Sequence, residues 1–157
     1  MAIISRRASY GLRTMFRLAE RAEEGAGATI AWLAENEKLP RKYLEQVLRD
    51  RKQAGLVDSR SGPNGGCRLA RSAADISVGD VVRALDGELR PGHCLEEGHV
   101  HSEADCPGCW GLDTCAMRET WLELQAAMNR ALDAVSIADR VRRQRDLDAR
   151  RAENYQI

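Results

Sequence analysis

Aromatic side chains are scarce in this chain, with one Phe, three Tyr and three Trp among 157 residues. Val, Thr and Ile are thin too, whereas Ala, Leu, Arg and Glu abound, a composition that favours helices. No apolar run reaches the roughly 20 residues needed to span a bilayer, so no membrane association is expected. Met1-Ala2-Ile3-Ile4 is followed at once by Ser5-Arg6-Arg7, so no signal peptide is expected either. The expected location is cytoplasmic, where structural disulfides are rare and grouped thiols bind metal or do redox work. A nucleophile paired with a base is missing, as is a Gly-rich phosphate loop opening a helix after a strand. An enzyme is therefore not expected.

The formal net charge is zero, but the charges are unevenly placed. Residues 1–71 carry 14 Lys/Arg against 8 Asp/Glu, residues 72–139 carry 4 against 13, and residues 140–157 carry 6 against 3. A basic first half beside an acidic middle implies a polyanion-binding face and a separate region that is not one.

Helical periodicity dominates the first half. Leu12, Met15, Phe16 and Ala19 form one apolar stripe on a helix from about Ser5 to Glu24. Gly25-Ala26-Gly27 ends it, and Thr29 caps a short helix over Ile30–Glu35. Pro40 opens a third helix reaching about Ala54, with Leu44, Val47 and Leu48 inward. Leu56–Arg60 and Cys67–Ala70, joined by a Gly/Pro/Asn turn, read as a β-hairpin. Ser77 then caps a short helix over Val78–Leu85, with Asp80 in its first turn.

From Asp86 to Asp113 periodicity stops, and four of the five cysteines gather at Cys94, Cys106, Cys109 and Cys115. This segment is too polar and glycine-broken to be core. Four such thiols fit a two-iron or four-iron cluster, a tetrahedral zinc site, or a redox pair. His93, His99 and His101 are possible substitutes for one thiol, and Cys94 lies furthest from the rest.

A last helix is expected from about Thr114 to Asp139. Met117, Trp121, Leu124, Met128, Ala131 and Val135 form a heptad-type seam, narrower than a globular face, which points to a homodimer contact. Packing on the chain's own first helix is the alternative. The remaining tail, rich in arginine, is expected to fray.

Helix, turn, helix and hairpin in this order make a winged helix-turn-helix. Its third helix presents Lys42, Glu45, Gln46 and Arg49 on the open face. Gln pairs with adenine, Glu accepts from cytosine, and Lys or Arg binds guanine or phosphate. Arg60 and Arg68 flank the wing turn, where they can reach a groove or the backbone.

These segments together resemble a known family. Tyr10-Gly11-Leu12-Arg13, Tyr43-Leu44-Glu45-Gln46-Val47-Leu48, Ala54-Gly55-Leu56-Val57, Arg60-Ser61-Gly62-Pro63-Asn64-Gly65-Gly66 with Arg68-Leu69, and Asp75 to Asp86 are similar to the bacterial winged-helix regulators of the IscR, NsrR and RirA type. The likeness covers roughly residues 2–138. It implies a dimeric transcription factor on double-stranded, partly palindromic operators, and adds Tyr43, Ser61, Pro63 and Gly65 to the DNA-facing set. It also implies an iron–sulfur cluster on the loop cysteines that controls DNA binding, with repression as one outcome.

Two departures stand out. Cys67 replaces the aromatic residue that usually follows the wing glycines, and is expected to be a small, buried or half-buried strand residue and not a ligand. Ser9 stands where some relatives supply a carboxylate ligand, so all four loop thiols become the expected ligand set. The expected architecture is mainly α with a small β-hairpin. A DNA-binding domain occupies residues 1–86, a cluster-binding loop 87–113, a dimerisation helix 114–139 and a frayed tail 140–157.

Overall fold

The computed structural model describes residues 3–60, 62, 65–96, 98, 107 and 111–154. Within these are six helices, α1 (Arg6–Glu23), α2 (Ile30–Glu37), α3 (Arg41–Gln53), α4 (Val78–Asp86), α5 (Ala116–Asp133) and α6 (Ile137–Asn154), and two strands, β1 (Val57–Arg60) and β2 (Gly66–Leu69). The strands pair antiparallel, with Val57 opposite Leu69 and Arg60 opposite Gly66.

Local chemistry sets most boundaries. The Ser5 hydroxyl accepts from the Ala8 N–H to start α1, and Thr29 does the same for Trp32 in α2. At α4, Ser77 and Asp80 satisfy each other's backbone N–H groups in a capping box, which removes two orphan donors at once. Lys38 ends α2 in the left-handed region at φ 53°.

The core lies where α1 meets α2, α3, α4, the hairpin and α6. Met15, Leu18, Leu33, Leu44, Val81, Ile137 and Val141 are buried there, each contributing about 1.5–3 kcal/mol. The apolar stripe of α3 continues one turn past Leu48 to Arg51, which is fully buried. Its Nη1 donates to the Val47 carbonyl at 2.7 Å, while Nε and Nη2 have no acceptor. Burial pushes the Arg51 guanidinium down to about 10, with Asp50 and Tyr43 opposing the shift and Arg7 adding to it. Gly11 makes this possible: a Cβ there would stand 1.9 Å from Arg51 Nη2 and 2.3 Å from Leu85 Cδ1.

The end of the chain differs from the sequence expectation. The helix expected over 114–139 is two helices, broken at residues 134–136, and the tail expected to fray is helical to Asn154. Ser136 and Asp139 form a second reciprocal cap: the Ser136 N–H donates to Asp139 Oδ2 at 2.9 Å and the Asp139 N–H to Ser136 Oγ at 3.1 Å. The break is then pinned to the head. Val78 N–H donates to the Val135 carbonyl and Ile137 N–H to the Ile76 carbonyl, both at 2.9 Å. Burial of Ile137 and Val141 turns α6 back onto α1, and Arg145 pairs with Glu23 further along.

Candidate nucleic-acid interface and cysteine site

The open face of α3 carries Lys42, Glu45, Gln46 and Arg49, all exposed. Inward residues of the same helix fix its pose. Tyr43 meets Tyr10 of α1 edge to face, with ring centroids 5.9 Å apart. Asp50 binds Arg7 of α1 and accepts from Gln46 Nε2 at 3.1 Å. Sequence reasoning missed Asp50, although its i+4 spacing from Gln46 on a helix is a readable pairing signal. Lys52 Nζ donates to Ser59 Oγ at 2.9 Å, tying α3 to the wing.

Arg60 is exposed at the tip of β1, and Gly65 closes the wing turn, where a Cβ would lie 2.5 Å from the Arg60 carbonyl oxygen. Gly66, at φ 128°, passes the Ala28 carbonyl so closely that a Cβ would stand 2.8 Å from it. Ser61 and Pro63, also expected to face DNA, lie outside the described residues. Cys67 is buried on β2, and burial pushes its thiol pKa up. That is the strand role expected of it.

At the other end of α4, Asp86 accepts from the Ser5 N–H at 2.8 Å and from its hydroxyl at 2.5 Å. The start of the cysteine segment is thereby tied to the start of α1. Leu89 is buried, and its carbonyl accepts from Gln125 Nε2 of α5 at 2.7 Å. Cys94 sits in a 3-10 turn over His93–Leu95, and Cys115 is the N-cap residue of α5, its side chain making no cap hydrogen bond. Both are free, half-buried thiols.

Cys94 and Cys115 line one small cavity of about 90 Å³, walled by Leu112, Met117, Trp121 and Arg118. A Cβ on Gly92 would meet the Trp121 ring at 2.8 Å, so the turn bearing Cys94 rests directly on the indole. Arg118 Nε is buried without an acceptor. Cys106, Cys109, His99 and His101 lie outside the described residues, and among the described ones no three His, Cys, Asp or Glu converge as a metal site. Ser9 is exposed and donates to the Ser5 carbonyl at 3.1 Å.

The expected seam runs along α5 from Met117 through Trp121, Leu124 and Met128 to Ala131. Val135, the last expected member, lies in the break after α5, where its backbone carbonyl accepts from the Val78 N–H of α4. No residue of α5 is buried, and Met117 and Leu124 are 49% and 39% exposed. Among the described residues, α5 packs mainly on α4 and the 93–95 turn.

A winged head with a basic, open third helix points to one class, that of DNA-binding transcriptional regulators. The Rrf2 family profile, described as an iron-dependent transcriptional regulator, matches residues 4–143, and the chain belongs to that family. Protein rrf2 of Nitratidesulfovibrio vulgaris is 34% identical over 139 residues, covering 88% of this chain and 87% of its own. Among solved structures, CymR of B. subtilis, titled a global cysteine regulator, aligns with a TM-score of 0.68 at 29% identity, over 90% of this chain and 97% of its own. IscR of T. potens aligns with a TM-score of 0.68 at 28% identity, over 90% and 87%. Among the described residues no helix is long and apolar enough to cross a membrane.

Proposed function

We propose that this chain is a dimeric regulator whose operator affinity is set by an iron–sulfur cluster held by Cys94, Cys106, Cys109 and Cys115. One observation carries the reading. Cys94 and Cys115, from opposite ends of the loop, line the same cavity beside a buried Arg118 Nε that lacks an acceptor. The donor set fits the group: soft thiolates bind iron, apolar walls limit water, and the guanidinium favours the negative charge of a thiolate-bound cluster. When bound, the cluster would supply a group that responds to iron supply, redox state or nitric oxide.

The protein's own residues account for transmission. Cys115 opens α5, so loop rearrangement acts on the first turn of that helix. The other end of the loop begins at Asp86, which holds the N-terminus of α1, and α1 positions α3 through Arg7 and Tyr10. In a dimer joined along α5, each head takes one half-site of a partly palindromic operator. Half-sites lie about one helical turn apart, so a small change in head separation alters affinity.

Anaerobic purification, an absorption spectrum and iron, sulfide and zinc assays test the cofactor. Iron with sulfide is expected; stoichiometric zinc without sulfide would replace this reading with a zinc-stapled regulator. Operator affinity is expected to differ by about tenfold or more between the loaded and metal-free forms. Equal affinity would sink the sensing role.

A further inference from the structure

Neither DNA reading nor the cysteine loop uses a second, larger cleft of about 590 Å³, open on one side, between α1, the end of α2 and α6. Its volume falls within the range of small-molecule sites. Leu12 and Phe16 of α1, Val78 and Ile137 give it apolar walls, and Arg13 of α1 and Arg140 of α6 also line it.

Donors and one buried acceptor are left over in this cavity: the outer guanidinium edges of Arg13 and Arg140 on one side, and Glu37 Oε2, which makes no hydrogen bond, on the other. Glu37, whose side chain is 1% exposed, pairs with Arg13 Nε at 2.7 Å and with Arg17 Nε at 2.9 Å. Glu20 is held by Arg17 Nη1 at 2.8 Å. The charges of Glu37 and Glu20 are thus offset by Arg13 and Arg17. Arg13 keeps its Nη groups, and Arg140 has no ion-pair partner among the described residues. Asp148 at the rim accepts from Gln144 at 3.0 Å and keeps one carboxylate oxygen, which disfavours a second negative charge on anything bound nearby.

We propose that this cavity is a binding site for a small monocarboxylate with an apolar body, its carboxylate held by Arg13 and Arg140 and its carbon chain lying on Leu12, Phe16 and Ile137. Arginine N–H groups match a carboxylate in charge and geometry, and the apolar walls supply area that rewards a body of several carbons. Such a ligand would bridge α1 to α6, and therefore the head to the helix following the α5 seam.

The test uses 4-methylpentanoate as the probe, with 4-methylpentan-1-ol as its uncharged counterpart, on the full chain. Saturable binding by calorimetry and a rise in Tm are expected for the carboxylate, since a ligand that binds only the folded state stabilises it. The alcohol is expected to bind about tenfold more weakly or worse, reflecting the lost charge-assisted hydrogen bonds. Arg140→Gln is expected to weaken the carboxylate by a similar factor. Arg143→Gln, an exposed position on the same helix outside the cavity lining, should leave it unchanged. No saturable binding up to about 10 mM, a range that still detects millimolar affinity, would overturn the proposal. So would equal binding of acid and alcohol, or an Arg140→Gln variant indistinguishable from the parent.

Discussion

Helices α1 and α5 have the same length, 18 residues, and opposite fates. Six residues of α1 are buried, from Ala8 to Ala19, whereas α5 buries none. Both carry apolar residues at helical spacing. On α1 the stripe is wide and is covered by α2, α3, α4, α6 and the hairpin. On α5 it is a narrow seam whose Met117 and Leu124 face outward. One helix completes a core inside the chain; the other has an apolar surface suited to a partner of the same kind.

The sharpest way to break this comparison is to place one charge in each helix. Leu18→Asp buries a carboxylate where the side chain is 1% exposed, and is expected to cost more than about 4 kcal/mol and unfold the head. Leu124→Asp is expected to keep the circular dichroism of the parent while raising the dimer dissociation constant about 100-fold, read by sedimentation. If Leu124→Asp instead melts the protein without changing its assembly, α5 is a core helix and the contrast fails.

A smaller effect, of opposite sign, is expected inside the head. Arg51 holds a charge in the core with two nitrogens lacking acceptors, so Arg51→Met is expected to stabilise by about 1–3 kcal/mol at neutral pH. The sign with pH follows from the lowered value of about 10. Between that value and the higher, ordinary arginine value, the unfolded chain binds the proton that the folded one has lost. This group's contribution therefore rises with pH, and the advantage of Arg51→Met shrinks above pH 10. Urea unfolding of both proteins at neutral pH and near pH 11, a point within that window, measures it.

The smallest expected effect lies where the two regions join. Arg83 donates to Asp133 at 2.7 Å across a largely solvated gap between α4 and the end of α5. Asp133→Ala is expected to cost under about 1 kcal/mol of stability. It should nevertheless speed amide exchange at Val78 and Ile137, the donors that pin the α5–α6 break. Unchanged exchange there would mean the backbone bridge holds the junction alone.

Much of the head was legible because its signals are local. Thr29 and Ser77 cap the helices they were expected to cap, and Leu44, Val47 and Leu48 face inward as their spacing requires. The face carrying Lys42, Glu45, Gln46 and Arg49 followed from the same period. Two readable signals were outweighed by stronger neighbours. Ser136 and Asp139 have the spacing of a capping box, yet the heptad pattern ran straight through them. Arg51 continues the apolar period of α3, but a charged residue is almost never placed in a core without a partner.

Other features had no signature along the chain. That Gly11 admits the Arg51 guanidinium, that Asp86 caps Ser5, and that Cys94 and Cys115 share a cavity with Arg118 are all pairings between distant segments. The sequence by itself determined the helices of the head, the winged hairpin and the grouping of thiols, because capping, period and turn chemistry act over a few residues. Only the tertiary structure decided that the tail folds back on α1 and that α5 stays uncovered. Those outcomes depend on which apolar faces find each other in space, a competition among surfaces that local spacing does not encode.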